Sequence, residues 1–268
     1  MSDNYQVPAI VSAAKILHEL RQRGDDRATQ ADLVRATGLS KSSMHNLLST
    51  LERQGFVIRD ARRCYGLGPA LITLGAAASG QTRLIDIAGE RLAPLAADRG
   101  LSFAIAQPVG QYETVIVDRF YPPQGVHVGI RIGSEYGLYE GALGKCLLAC
   151  MPPEDVKRIV KRRSIPAYTA RTLTKPADLV AEVQQVRDRG WAASEQELNE
   201  NNAVAAPVLG RSATPELIIL ALGFAEQLSG DEIQTTGELL VDVAGAIRRA
   251  AGLEEVNGDQ PTIRHEVG

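Results

Sequence analysis

The amino-acid sequence predicts an α+β protein in two parts: a small N-terminal domain of short helices and a hairpin, and a larger strand-rich domain. Apolar residues recur at helical spacing between residues 8 and 55, but at strand spacing from residue 101 onward. The charge is also uneven: residues 1–68 hold 10 Lys+Arg against 7 Asp+Glu, and the remaining residues hold 19 against 25. A modestly basic N-terminal part is typical of a protein that contacts nucleic acid at one end.

Composition limits the class of protein. With 268 residues, 44% hydrophobic and 23% charged, the chain is expected to be globular, with one large or two ordinary domains. Its longest apolar run, residues 217–222, is too short to span a membrane, and no secretion signal begins at Met1. The three cysteines have no zinc spacing. We therefore expect a cytoplasmic protein with reduced thiols, and no metal, cofactor or membrane partner.

The first domain is predicted at residues 8–68. A helix begins at Pro8 and ends near Gly24; Thr29 is a good N-cap for a second helix, which Gly38 ends. Ser40 caps a third helix that stops at Gly55. Two β-prone segments, 56–58 and 64–67, flank a basic turn at 59–63, and a Gly-Pro pair at 68–69 marks the domain boundary.

Helical connectors are predicted over residues 69–99, followed by a strand-rich domain at 100–252. Its predicted strands are 101–109, 113–119, 125–132, 191–193, 203–209 and 217–224. A loop enters a short helix at 141–151, which Pro152-Pro153 ends, and further helices are predicted at 177–189 and 231–251. The polar segment 253–268 is expected to be a disordered tail.

The stretch from residue 29 to residue 55 carries the functional prediction. It reads as a cap, a short helix, a glycine turn, a second cap and a second helix, the order of a helix-turn-helix whose second helix enters the major groove of DNA. Hydroxyls and Lys reach phosphates, Asn and His bond base edges, and a basic turn suits a wing. The expected DNA contacts are Thr29, Ser40, Lys41, Ser42, Ser43, His45, Asn46 and Ser49, with Arg59, Arg62 and Arg63 on the wing.

Other interpretations stay open at this stage. A serine at a helix start can serve capping alone, and a polar helix face is often simply solvated. Catalysis in the larger domain is a second class of function, with Cys146, His127, Glu195 and Glu197 as candidate groups, but no known nucleophile–base motif joins them. A domain that only binds a partner protein is a third class, although it would not explain the capped helices and the basic wing. We therefore expect that this protein is not an enzyme.

The sequence resembles the IclR family of bacterial transcription regulators over residues 8–252. The resemblance rests on the order of several short motifs: AAKIL at 13–17, GLSKSSMHNLL at 38–48, GFV at 55–57, YGLG at 65–68, RIG at 131–133, GALGK at 141–145, GWA at 190–192 and AAPV at 205–208. It implies a winged helix-turn-helix, a linker helix and a GAF-like effector-binding domain around an antiparallel sheet. It also implies a homodimer or tetramer on palindromic operator DNA, most often a repressor of an adjacent catabolic operon.

The resemblance further implies a small-molecule effector between the sheet and the loop at 141–145. The matching positions are Ala142, Leu143, Ser194, Asn202, Val204, Ala221 and Gly223. Most of these residues are small or apolar, which favours a partly apolar organic effector, such as an aromatic acid or amide, over a two- or three-carbon keto acid. Lys145 lacks the spacing of a phosphate-binding loop, and Cys146 and Cys150 are expected to be buried structural thiols.

Overall fold

The computed structural model describes residues 7–24, 26–80, 83–162 and 164–253. The chain divides into two compact units, Met1–Gln81 and Thr82–Gly268. The predicted connector at 69–99 is therefore shared, since its first helix belongs to the first unit and its second to the larger one. The predicted tail, except for its first residue Leu253, lies outside the described residues.

The first unit consists of short helices and a small antiparallel sheet. Its described elements are α1 (Pro8–Arg23), β1 (Ala28–Thr29), α2 (Gln30–Thr37), α3 (Lys41–Arg53), β2 (Val57–Arg59), β3 (Cys64–Leu67) and α4 (Ala70–Gly80). The strands pair in the order β1-β3-β2. Ile16, Leu33, Met44 and Leu48 form the centre of one buried cluster, in which α1, α2 and α3 pack together. The predicted helices and hairpin are present; the two-residue strand β1 was too short to be predicted.

The larger unit is built on an antiparallel sheet with the strand order β6-β5-β4-β9-β8-β7. Its described elements are α5 (Arg83–Arg99), β4 (Ser102–Val109), β5 (Glu113–Phe120), β6 (Glu135–Gly137), α6 (Gly141–Ala149), α7 (Pro153–Arg162), α8 (Pro176–Arg189), β7 (Ala192–Glu195), β8 (Asn201–Leu209), β9 (Pro215–Phe224) and α9 (Asp231–Ala251). The fold is thus of the predicted α+β class.

The two faces of this sheet are covered by different helices because strand side chains alternate between faces. Phe103, Val204 and Ala221 pack with α5 and α9, on what we call the α5/α9 face. Ala104 and Ala205 pack with α6, α7 and α8, on what we call the α6 face. Each face buries its own apolar cluster, so the described sheet is the middle layer of three.

Residues 125–132 are not a strand, although their alternation predicted one. Their backbone groups bond to side chains instead of to a neighbouring strand. Ser102 Oγ donates to Val128 O at 2.8 Å. The Tyr121 hydroxyl donates to Ile130 O and accepts from Ile130 N, both at 2.8 Å. Val128 and Ile130 are buried but Val126 and Ile132 are exposed, so only the middle of the predicted alternation holds. No strand ladder forms here, and β6 pairs with β5 instead.

Helix α7 was not predicted. The two prolines at 152–153 were expected only to end the preceding helix, which stops at Ala149. Pro153 also begins α7, as proline at the first turn of a helix allows. Val156, Ile159 and Val160 then recur at helical spacing, and all three are buried in the cluster of the α6 face.

Candidate functional site

Helix α3 is positioned by a glycine turn and a serine cap. Gly38 has the left-handed φ of 70° that ends α2, and its N–H donates to Val34 O at 3.0 Å. Ser40 Oγ accepts the N–H of Ser43 at 3.1 Å and thereby satisfies one of the free amides at the start of α3. These local interactions are those expected from the sequence, and they fix where the helix begins.

A contact between α2 and α3 was not predicted. Gln30 Nε2 donates to the carbonyl of Lys41 at 3.1 Å, which ties the first residue of α2 to the first residue of α3. Gln30 is therefore a positioning residue for the start of α3. No spacing rule identifies this bond, because the two residues are 11 apart in the chain and meet only after both helices have formed.

One side of α3 is open within the first unit. Met44, Leu48 and Leu51 are buried, whereas Ser42, His45 and Asn46 are exposed and Ser49 is half-buried. We call Ser42, His45, Asn46, Ser49 and Arg53 the polar face of α3, because their spacing of three, four and seven residues places them on one side of the helix. Arg53, also exposed, was missed, although its position four residues after Ser49 indicates this face. Lys41 and Ser43 are exposed beside it.

Thr29 acts as a helix cap. Its N–H and its hydroxyl donate to Asp32 Oδ2 at 3.0 and 2.6 Å, and its hydroxyl accepts the N–H of Asp32 at 3.2 Å. These bonds, together with one from Arg35, lower the pKa of the Asp32 carboxyl to about 2. The Thr29 hydroxyl is thus engaged inside the molecule, and a DNA contact for Thr29 stays a prediction.

The turn between β2 and β3 presents the predicted basic wing. Arg59, Arg62 and Arg63 are all exposed. The Asp60 carboxylate accepts the N–H groups of Arg62 and Cys64 at 2.9 and 2.8 Å, and the Cys64 bond is the main reason that the pKa of Asp60 lies below its usual range. This turn also holds Arg63 at a φ of 63°, the left-handed region that few side chains adopt.

Loss of the wing charges is expected to flatten the salt dependence of DNA binding. We choose Arg62→Ala with Arg63→Asn, because asparagine tolerates a positive φ and keeps the turn intact. Each lost phosphate contact should reduce the slope of log affinity against log salt by about 0.9. The measurement is fluorescence anisotropy on a duplex at several salt concentrations. Arg171→Ala, an exposed arginine of the larger unit, is the control; equal slopes for all three proteins would contradict a role for the wing.

The candidate ligand site lies where α6 begins, against the α6 face. Gly141 has a left-handed φ of 61°, and a Cβ at this residue would lie 3.1 Å from Ser194 Oγ. The cap residue Glu140 makes no side-chain bond to the first amides of α6. Its carboxylate instead accepts from Gly137 N at 2.5 Å and from the Tyr168 hydroxyl at 3.2 Å. Free amides and a hydroxyl at a helix start can bind a ligand oxygen.

The structure does not bring the seven expected effector residues together. Ala142, Leu143 and Ser194 meet on the α6 face. The other four lie on the α5/α9 face: Val204 and Ala221 pack in its cluster, Asn202 donates to Leu228 O at 2.7 Å, and a Cβ at Gly223 would meet Leu101 and Leu228. A register error of one residue moves every strand side chain to the opposite face, which explains this correction.

The strand residues that do face α6 follow from the sheet register. Ser194 pairs with Ala203, which pairs with Leu222, which pairs with Ser102. Ser194 and Ser102 are buried hydroxyls, and Ala203 and Leu222 are partly buried against the cluster of this face. Partly buried tyrosines also pack there: Tyr112, Tyr121, Tyr136 and Tyr139. The α6 face therefore offers small apolar side chains with hydroxyls at their edge.

A buried cation fixes α6 to the strand β7. Lys145 Nζ donates to Ala193 O at 2.8 Å and to Glu197 Oε1 at 2.6 Å, and its side chain is only 6% exposed. Glu182 lies 3.9 Å away and forms its own ion pair with Arg189 at 2.8 Å. Burial raises the pKa of the Glu197 carboxyl, and the Lys145 charge acts in the opposite direction. Lys145 therefore has a structural role in the described chain: it pairs with Glu197 and bonds to the backbone of β7.

Burial disfavours the thiolate form of Cys146, in α6, and of Cys150, which directly follows α6 as its C-cap residue. Cys146 is fully buried and donates to Ala205 O at 3.2 Å; burial raises its pKa far above the ordinary value. Burial also raises the pKa of Cys150 to about 12. A protonated thiol is a poor nucleophile and a poor metal ligand. Among the described residues, no group of three or more His, Cys, Asp or Glu side chains could hold a metal ion.

Comparisons with known proteins agree with this arrangement of a helix-turn-helix unit and a ligand-binding unit. Residues 11–61 match the model of the IclR helix-turn-helix domain, and residues 76–249 match that of the bacterial transcriptional regulator IclR C-terminal domain. The chain therefore belongs to the IclR family. Its N-terminal domain binds DNA, its C-terminal domain binds small effectors, and the expected α+β fold class is confirmed.

Three relatives illustrate the match. The transcriptional repressor IclR of Escherichia coli is 24% identical over 250 residues, 92% of this chain and 91% of the relative. The structure of an IclR regulator from Alicyclobacillus acidocaldarius is 28% identical with a TM-score of 0.83, covering 91% of this chain and 99% of that one. An IclR homologue from Microbacterium hydrocarbonoxydans, complexed with 4-hydroxybenzoate, is 17% identical with a TM-score of 0.72, covering 90% and 98%.

No helix among the described residues combines the length and apolar character that crossing a bilayer requires.

Proposed function

We propose that this regulator is a cytoplasmic repressor of a catabolic operon that releases its operator when a small organic acid or amide binds the larger unit. The observation that carries the DNA-reading part is the exposed polar face of α3, held in place by the Ser40 cap and accompanied by the Arg59–Arg63 wing. Repression is supported by the relative from Escherichia coli, which is a transcriptional repressor.

The expected effector is partly apolar and comparable in size to an aromatic acid or amide. Its site would be formed by Ala142, Leu143 and Ser194, joined by Ala203 and Leu222 from the corrected register. The carboxylate or amide oxygen would accept from the first amides of α6 and from Ser194, while the ring would lie over the small side chains of the α6 face. The 4-hydroxybenzoate complex of the Microbacterium relative supports this size class.

Binding to a palindrome requires at least two copies of the chain. Exposed apolar side chains of the first unit support self-association: Ile10 is 68% exposed, and on α4 Ile72 is 76% and Leu74 is 54% exposed. Burial of these side chains against a second copy would remove their apolar surface from water. In a dimer, an effector that prefers one arrangement of the two subunits would change the separation of the α3 helices and hence DNA affinity.

A titration of operator release against effector class tests this proposal. An operator would first be selected from random duplexes by the full chain, and its affinity measured with benzoate, 4-hydroxybenzoate, benzamide, pyruvate or glyoxylate present. We expect at least one aromatic compound to weaken operator binding about tenfold, corresponding to about 1.4 kcal/mol of coupling. A response confined to pyruvate or glyoxylate would overturn the effector class. Stronger operator binding with effector would overturn the release mechanism.

A further inference from the structure

Helices α7 and α8 enclose a surface cleft of about 320 Å³. Most of its lining is apolar and includes Pro153, Val156 and Val180. The polar residues of the lining are Lys157, Gln184 and Arg187. The cleft therefore combines an apolar wall with two cations and one amide, and no carboxylate belongs to its lining. Its volume is near the lower end of ligand sites in proteins, which suits a small molecule.

Arg187 is the group that makes this cleft unusual. The residue is only 8% exposed. Its guanidinium bonds three backbone carbonyls at the end of α6: Nε donates to Ala149 O at 2.9 Å, and Nη2 donates to Met151 O at 2.6 Å and Leu148 O at 3.4 Å. Nη1 takes part in none of these bonds, and Arg187 is one of the residues that line the cleft.

Arg187 lies near the carboxylates of Glu154 and Asp188, but neither is within ion-pair distance of its guanidinium in the described part of the chain. No carboxylate there forms an ion pair with it; its hydrogen-bond partners are neutral carbonyls. Burial is the main influence on the pKa of the guanidinium and lowers it, while the more distant charges of Glu154 and Asp188 act in the opposite direction. Buried charges in proteins are normally paired, so an anion in the cleft would supply the missing partner.

We propose that the cleft between α7 and α8 is a second ligand site, which binds a small monocarboxylate with an aliphatic body. The carboxylate would accept from Nη1 of Arg187 and lie near the ammonium group of Lys157 at the rim. The aliphatic chain would lie along Val156, Val180 and Ala181. This site is distinct from the one at Ser194: it adjoins the last residues of α6, whereas Gly141 and Ser194 adjoin the first. The inference does not depend on the proposed function.

Hexanoate is a suitable probe, because its carboxylate and five-carbon chain match the two parts of the cleft. Binding to the full chain would be measured by isothermal titration calorimetry, with hexanamide as the neutral analogue. We expect hexanamide to bind at least tenfold more weakly, since a neutral amide cannot form the charge-assisted hydrogen bond that a carboxylate forms with a guanidinium. Equal binding of the acid and the amide would overturn the role of Arg187.

Variants locate the site. Ala181→Phe fills the cleft without touching the Arg187 bonds and should weaken hexanoate binding at least tenfold; Lys157→Ala should weaken it about threefold. Gln185→Phe adds the same bulk to an exposed position of α8 outside the lining and should bind as the unmodified chain does. Arg187→Gln should abolish binding if the variant folds.

Unchanged hexanoate binding in Ala181→Phe would overturn the site, whatever the outcome for Arg187→Gln.

Discussion

Gly144→Ala is expected to destabilise the larger unit by about 2–3 kcal/mol, the upper part of the range for overpacking a core. A Cβ at this position would lie 2.4 Å from Leu138 O and 2.6 Å from Gly137 O. Non-bonded heavy atoms in ordinary van der Waals contact lie about 3.5 Å or more apart. Both obstacles are backbone atoms, so α6 itself must shift away from the chain that precedes it. That shift would also displace Gly141 and Ala142 from Ser194, and effector binding should weaken with stability.

The measurement is unfolding in urea, monitored by the fluorescence of the tryptophan side chain. Trp191 is the only tryptophan of the chain and is buried in the larger unit, so it reports on that unit alone. Gly75→Ala is the matched control, since Gly75 is also helical and a Cβ there meets nothing within 4 Å. It should leave the Trp191 transition unchanged. Equal transitions for Gly144→Ala and the unmodified chain would show that α6 does not need the close approach.

Lys145→Met is expected to cost about 3 kcal/mol, because it leaves the Glu197 carboxylate without its cation in a largely buried position. Removing one member of a buried ion pair costs more than replacing both by apolar residues. The double variant Lys145→Met with Glu197→Leu should therefore recover more than half of the loss. If the double variant is less stable than Lys145→Met alone, the pair is not the source of the loss.

The loss in Lys145→Met should depend on pH with a defined sign. Burial raises the pKa of the Glu197 carboxyl above its ordinary value, and removal of the Lys145 charge would raise it further. A carboxyl whose pKa is raised by folding loses stability as pH increases, because the unfolded chain ionises first. The variant should be closest to the unmodified chain near pH 5 and furthest from it near pH 8. Urea midpoints at these two values measure the difference; a deficit that grows toward acid would contradict the assignment.

The N-terminal unit could be predicted from sequence because its signals are local. Thr29, Gly38 and Ser40 act on the residues within one helical turn of them, so their identity suffices to place α2 and α3. The contacts that the sequence did not predict are distant. Lys145 and Glu197 are 52 residues apart, and Arg187 bonds carbonyls 36–39 residues away. Such pairs become neighbours only through the arrangement of α6, α8 and the sheet.

The division of the seven expected effector residues between two faces of the sheet has a different reason. Apart from 125–132, which is not a strand, the predicted strands agree with the observed ones to within two residues at each end, but a slip of one residue decides the face of a sheet. Val204 was placed in the ligand site and packs on the α5/α9 face, whereas its neighbours Ala203 and Ala205 pack on the α6 face. The α6 loop residues Ala142 and Leu143 did not suffer this error, because a helix start has no such alternation.

Asn46→Ala tests the central claim, that the polar face of α3 reads base edges. Its affinity would be measured side by side on the selected operator and on a scrambled duplex at one salt concentration, with Asn199→Ala in the larger unit as control. Since a bidentate base contact is worth about 1–3 kcal/mol, we expect roughly a tenfold to hundredfold loss on the operator and a much smaller loss on the scrambled duplex. An equal loss on both duplexes, or none on either, would contradict the claim.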